Sequence, residues 1–259
     1  MFTKRIITQA IIFQSALWLL LGAASAAQAQ TSRADSAASY VNRGLAWHTK
    51  GELERAISDY EIALVFDPQS ANAYILRGLV RYDQKNFDAA LADCNRALEL
   101  NPRLAGAFLI RGTIRQSRGD LNGALADYNQ TIALNPQGAA HAYNNRGNLK
   151  QTQGDLDGAM ADYNQALRLN SRLAETYNNR GNARQTKGDV TEALADFNRA
   201  IQLDPHLAQA YLSRGLARLH QGQQTEAERD FAQALALNPD LKPTHDQSFN
   251  RTKAQLVMK

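Results

Sequence analysis

Six arginines and six aspartates recur in register along the chain. Arg43, Arg77, Arg111, Arg146, Arg180 and Arg214 each stand 16 residues before Asp59, Asp93, Asp127, Asp162, Asp196 and Asp230. A guanidinium beside a carboxylate can take part in acid–base chemistry or bind an anion, and the same pair can equally bridge two structural elements. A catalytic centre needs one such constellation, whereas this one occurs six times, so a shared structural task is the expected use. Each arginine is expected to bridge within its repeat or to the next, with a row of anion-binding arginines as the alternative. An exposed bridge of this kind contributes about 0–1 kcal/mol, while breaking a desolvated one costs about 3–5 kcal/mol.

The other chemistry-bearing residues do not gather into a site. His48, His141, His206, His220 and His245 are scattered, with no HExxH pattern and no Cys/His cluster to hold zinc. No GxSxG elbow singles out a serine as nucleophile, and no phosphate loop or dinucleotide fingerprint occurs. The recurring aspartates look like packing elements, not the paired acids of a glycosidase cleft. No catalytic residue, cofactor or metal ligand is assigned, and the chain is read as non-enzymatic. Without Lys4 and Arg5 the formal charge falls from +4 to +2. That near-balance, with no basic–aromatic stripe, argues against nucleic acid. Cys94 is the single cysteine, so no internal disulfide exists. It stands where Tyr60, Tyr128, Tyr163, Phe197 and Phe231 stand elsewhere, a core position.

What positions these residues is a repeated helical hairpin. Gly44, Gly78, Gly112, Gly147, Gly181 and Gly215 are spaced by 34, 34, 35, 34 and 34 residues, and each follows one of the six arginines. Four residues earlier stand Tyr40, Tyr74, Phe108, Tyr143, Tyr177 and Tyr211, which places aromatic and glycine on one helical face. In the second helix Ala56, Ala90, Ala124, Ala159, Ala193 and Ala227 lie four residues before the aromatic-or-cysteine position. They lie seven before Ala63, Ala97, Thr131, Ala166, Ala200 and Ala234, completing a buried stripe. Gly51, Gly119, Gly154, Gly188 and Gly222 mark the turn, with Asp120, Asp155 and Asp189 as caps; at Lys85-Asn86 the asparagine is expected to take the left-handed or capping role. Pro68, Pro102, Pro136, Pro205 and Pro239 mark the junctions between hairpins, and Ser171, in place of the fourth proline, suggests a looser one.

This pattern of aromatic, glycine, alanine, aromatic, alanine and proline positions resembles the tetratricopeptide repeat family over residues 37–241. The repeats are 37–70, 71–104, 105–138, 140–173, 174–207 and 208–241, with Ala139 inserted. The resemblance implies an all-α, right-handed α-solenoid of antiparallel hairpins with a groove lined by first helices. Carried onto the family's inward-facing positions, it puts Asn144, Asn145, Asn148, Gln151 and Thr152 beside Asn178, Asn179, Asn182, Gln185 and Thr186 as a partner-binding surface. Carboxamides donate and accept at once, which suits an extended peptide or the polar groups of a glycan. Some family members clamp a C-terminal carboxylate, but the inward lysines of that clamp are absent here. The expected partner is therefore a protein or peptide segment, with a cell-envelope glycan or a second copy of the chain as alternatives.

The ends read differently. Lys4 and Arg5, the apolar run IIFQSALWLLLGAA and Ala27-Gln28-Ala29 have the order of a secretory signal peptide over 1–29, with an uncleaved N-terminal membrane anchor as the alternative, so a secreted or periplasmic location and no stable membrane span after cleavage are expected. Residues 30–36 are a short linker. Residues 242–259 are read as a capping helix packed through Phe249, Leu256 and Val257, or as a disordered tail.

Overall fold

The computed structural model describes residues 33, 35–242, 246 and 249. The signal segment, most of the 30–36 linker, and Leu256 and Val257 of the expected cap lie outside the described residues. The fold is all-α: α1 (35–49), α2 (Leu53–Phe66), α3 (Ala71–Asp83), α4 (Phe87–Leu100), α5 (Ala105–Ser117), α6 (Leu121–Leu134), α7 (Ala140–Thr152), α8 (Leu156–Leu169), α9 (Ala174–Lys187), α10 (Val190–Leu203), α11 (Ala208–His220) and α12 (Gln224–Leu237), then a 3₁₀ turn at Pro239–Leu241. The protein divides into two compact units, 1–114 and 115–259.

The turns follow from local chemistry. Gly51, Gly119, Gly154, Gly188 and Gly222 all have positive φ, from 76° to 93°, a conformation that carries no Cβ penalty in glycine. At the one hairpin without this glycine the two expected roles divide. Lys85 takes the left-handed conformation at φ 61°, and Asn86 caps α4 by accepting from the Ala89 amide. Asp120 and Asp155 cap α6 and α8 by accepting from the amides of Gly123 and Gly158, both at 2.9 Å. Asp189 makes no such bond, so its helix begins without the carboxylate cap expected of it.

The junctions are held by a residue the repeat pattern did not single out. Asp67, Asn101, Asn170, Asp204 and Asn238 each end a second helix and accept, through the side-group oxygen, the amide two residues on, at 2.9–3.1 Å. This Asx turn forms with serine as well as with proline in the next position, so the Ser171 junction is built like the others. Asn135 instead reaches the amide of Gly138, three residues on, where the additional residue Ala139 is accommodated.

Unit 1 buries Ala90, Cys94, Ala97, Ala107 and Ile114 completely in one cluster, and Cys94 is the small core residue expected. A second cluster holds Ala56, Tyr60 and Val80. In unit 2 the same stripe is Ala159, Tyr163 and Ala183, then Ala193, Phe197 and Ala217, then Leu212, Leu219, Ala227, Phe231 and Ala234. Phe249 packs edge-on against Phe231 at 5.9 Å and Leu241 joins the same cluster, so part of the C-terminal segment covers the last hairpin.

Tyr60 carries a flaw. Its ring lies in the unit 1 core, but its hydroxyl is buried with no hydrogen-bond partner among the described residues. Burial, and secondarily the Asp59 charge, push the phenol up to about 12. A phenol whose folded pKa is raised contributes stability that is present below the unfolded value of about 10 and lost as pH climbs through the folded value. Tyr60→Phe is therefore expected to stabilise the protein by about 1 kcal/mol at neutral pH and to lessen the loss of stability between pH 10 and about 12. Urea titrations at pH 7 and 11 check both, and a destabilised variant at pH 7 would show that the hydroxyl is satisfied.

Candidate interaction face

The arginine–aspartate pairs of the first, second, fourth, fifth and sixth repeats come together as a ladder, each on a buried aspartate. In unit 2, Arg180 donates from Nε and Nη2 to the two oxygens of Asp196 at 2.9 and 2.7 Å, and its Nη1 donates to Asn164 of the preceding repeat at 2.7 Å. Its guanidinium also lies over the Tyr177 ring at 5.4 Å. Arg146 and Arg214 repeat the arrangement with Asp162 and Asn129, and with Asp230 and Asn198. In unit 1, Arg43 and Arg77 bind Asp59 and Asp93 in the same two-pronged way, and Arg111 reaches back to Asn95. The bridge thus lies within the repeat, and the reach between repeats is to the one before, not to the one after. The Asp162 bond holds the Arg146 guanidinium above its usual pKa, a sign of strong charge pairing.

A second row of cations has the same spacing, although the sequence pattern did not single it out. Arg81, Arg115, Lys150, Arg184 and Arg218 lie four residues after the ladder arginines and donate to Asp93, Asp127, Asp162, Asp196 and Asp230 at 2.7–2.9 Å. These aspartates are only 2–3% exposed. With two cations on one desolvated carboxylate, ring stacking and an asparagine partner, Arg146, Arg180 and Arg214 are committed to structure and not to binding an anion. The first repeat has Trp47 in place of the second cation, and Lys50 and Arg55 each lie over that ring, at 5.0 and 4.9 Å. Trp47 is a partly buried packing residue.

The carboxamides predicted as a binding surface divide into three groups. α9 lies between α7 and α11, so first helices stand side by side in unit 2. Asn144 and Asn178 are 6% and 4% exposed, so neither presents its carboxamide at the surface as expected. For Asn144 the reason is its position, which faces the next first helix. Asn144 Oδ1 accepts from Thr176 Oγ1 at 3.0 Å and from Asn179 Nδ2 at 3.1 Å, and Asn144 Nδ2 donates to Asn145. Asn179 and Asn145 are thereby drawn into a network tying α7 to α9. One repeat on, the positions of Thr176 and Asn179 are held by Ala210 and Ser213, and Asn178 Oδ1 is buried without a hydrogen-bond partner among the described residues.

Asn148 and Gln151 belong to a second group. Both carboxamide oxygens lie 2.7 Å from the hydroxyl of Tyr163, a phenol that burial and the neighbouring Asp162 push well above its ordinary pKa. The Tyr128 hydroxyl donates to Gln116 in the same manner at 2.6 Å. The third group is Asn182 and Gln185 on α9. Their second-helix aromatic is Phe197, which has no hydroxyl, and their carboxamides have no protein partner among the described residues. Both are partly exposed, while Thr152 and Thr186 are exposed with their hydroxyls bonded to the carbonyls of Asn148 and Asn182.

Among the described residues no three His, Cys, Asp or Glu side groups gather as a metal site, and no helix is long and apolar enough to cross a membrane.

Comparison with known proteins agrees with this architecture. The family model described as TPR repeat matches residues 44–85 and 147–188, and two models described as Tetratricopeptide repeat match 71–104 with 174–207, and 208–241. No curated protein matches. Among solved structures, the protein is similar to one in the APC/C hetero-tetramer Cut9–Hcn1, with 19% identity and a TM-score of 0.77 over 86% of its own length, but it spans only 45% of that one. It is similar to the type IV pilus biogenesis factor PilW at 19% identity and a TM-score of 0.69, over 78% of its own length and 94% of that one. It is also similar to pilF of Pseudomonas aeruginosa at 18% identity and a TM-score of 0.68, over 86% and 99%. At these identities the likeness is one of fold.

Proposed function

This chain belongs to the tetratricopeptide repeat family, and we propose that it acts as an exported adaptor that holds a peptide or protein segment on the face formed by α7, α9 and α11. As a member of that family it is a protein–protein interaction scaffold and not an enzyme. The observation that carries the location is an asymmetry of commitment. Ladder charges are consumed within the fold, whereas uncharged carboxamides with spare hydrogen-bonding capacity stand on the first-helix face at Asn182 and Gln185. Such groups suit a polypeptide backbone, which alternates donors and acceptors and has no net charge. Export is supported by the order of Lys4-Arg5, apolar run and Ala27-Gln28-Ala29.

A photo-crosslinking residue tests the face. With p-benzoylphenylalanine replacing Thr186 or Thr152, exposed on α9 and α7, irradiation of intact cells is expected to attach a distinct protein, while the same residue replacing Ala195 on α10 attaches none. The recovered protein is expected to begin at Gln30. Equal labelling from Ala195 would move the interaction to second helices. An adduct of wall-glycan mass, or one of twice the protein's own mass, would replace the adaptor reading by glycan binding or self-association.

A further inference from the structure

The ladder arginines reach back to the second helix of the repeat before, and among the described residues the first repeat has no such helix to reach. Arg111, Arg146, Arg180 and Arg214 donate from Nη1 to Asn95, Asn129, Asn164 and Asn198 at 2.6–2.9 Å, and Arg77 Nη1 lies 3.8 Å from Glu61. Arg43 is the exception. It spends Nε and Nη2 on Asp59, the same two nitrogens that Arg180 spends on Asp196, and its Nη1 has no partner among the described residues. The guanidinium is held in place all the same, over a Tyr40 ring that stacks on Phe66. Its side chain is 56% exposed, against 16% for Arg77.

The face around Arg43 is open in the same way. Ser39, Asn42, Arg43 and Ala46 lie at i, i+3, i+4 and i+7 on α1, and all four are exposed. The residues at the places of Ser39 and Ala46 one and two repeats on, Ala73 and Val80, then Ala107 and Ile114, are completely buried. Leu45 borders the face and is 44% exposed. We propose that this face of α1 is a docking surface for an acidic amphipathic helix of another protein, which lies where a preceding second helix would lie and gives Arg43 Nη1 a carboxylate. The surface belongs to unit 1 and shares no residue with the carboxamide face of unit 2, so it goes beyond the adaptor site above.

Charge selects the occupant. Residues 33–50 carry Arg33, Arg43 and Lys50, all exposed, against the single acid Asp35. Such a face draws an acidic helix, and a carboxylate bonds a guanidinium more strongly than an asparagine does. The chain's own N-terminal side cannot supply that group. Residues 1–34 contain Lys4, Arg5 and Arg33 and no aspartate or glutamate, and Ala27 stands 16 residues before Arg43, the separation of Asn164 from Arg180. Nor does a second copy fit end to end. Its last second helix, α12, has Ala232 where the earlier ones have asparagine or glutamate, and Leu241 and Phe249 pack on that hairpin. The small side groups of Ser39 and Ala46 let a helix approach closely, and Leu45 offers it an apolar contact.

One of the protein's own second helices supplies the probe. An acetylated and amidated peptide of residues 189–203, which is α10 with its N-cap, is made with Asn198→Glu in one form and Asn198→Ala in the other. Each is added to the ¹⁵N-labelled protein while the Arg43 Nε signal and the Ser39 and Ala46 amides are followed. The glutamate form is expected to shift all three saturably and to bind about tenfold more tightly than the alanine form, with the gap closing at about 0.5 M salt. Ala46→Glu in the protein puts bulk and like charge on an exposed position and is expected to abolish the shifts with the melting transition retained. No shift on α1 would leave the face a polar end cap, and equal binding of the two peptides would remove Arg43 from recognition; either result overturns the proposal. A protein that sediments at twice its mass without peptide, and no longer does so after Ala46→Glu, would give the face to a second copy and overturn it as well. All three results leave the adaptor site standing, because that site is read out at Thr152 and Thr186.

Discussion

Asp196→Ala is expected to destabilise unit 2 by about 3–5 kcal/mol, among the largest effects available to a single substitution in this protein. Asp196 is 3% exposed and accepts three hydrogen bonds from two cations, two from Arg180 and one from Arg184. Removing the carboxylate strands both guanidinium groups where solvent reaches them poorly. It also frees Arg180 from the geometry in which it bonds Asn164 of the preceding repeat. The effect should therefore spread across the repeat boundary, and hydrogen exchange should show α8 loosening together with α9 and α10. Asp157→Ala is the control, because its bridge to Lys187 joins groups that are 88% and 37% exposed. That variant should melt at an essentially unchanged temperature. If the two variants behave alike, the ladder is not a determinant of stability.

Gly181→Ala should cost about 2–3 kcal/mol, although alanine is the better helix former by about 1 kcal/mol. A Cβ there would lie 2.5 Å from Phe197 Cε1 and 2.8 Å from Cδ1, on a ring that is completely buried and has no room to withdraw. Gly78→Ala should be within about 1 kcal/mol of neutral. Its second helix carries Cys94 instead of an aromatic ring, and the nearest atoms to the added methyl are Asp93 Cβ at 3.2 Å, the Ala90 carbonyl oxygen at 3.3 Å and Cys94 Sγ at 3.6 Å. Thermal melts of the two variants settle the matter, and equal losses would mean that the glycine is required by the backbone and not by the facing ring.

These contrasts mark which features could be read from residue order. The glycine–aromatic approach, the alanine stripe, the turn glycines and the burial of Cys94 are local or strictly periodic, and a helical period with a fixed phase carries them. The tyrosine and phenylalanine residues are visible as equivalent ring positions, but residue order does not show what their difference does. That requires knowing which amides a hydroxyl reaches 12 or 15 residues away in sequence, as Tyr163 reaches Gln151 and Asn148.

The sequence by itself determined an all-α protein of six hairpins in near-constant phase, because each hairpin is specified by contacts within about 34 residues. The tertiary structure alone decided which of eight similar carboxamides serve the fold and which have no protein partner among the described residues. Position in the repeat puts Asn144 at the surface, yet it is buried because Thr176 and Asn179 of the following repeat close over it. Asn178 occupies the same position, but the residues equivalent to Thr176 and Asn179 one repeat on are Ala210 and Ser213, and its Oδ1 has no partner among the described residues. A polar group is committed or free according to the donor opposite it, and that donor belongs to a neighbouring helix whose approach no local pattern specifies.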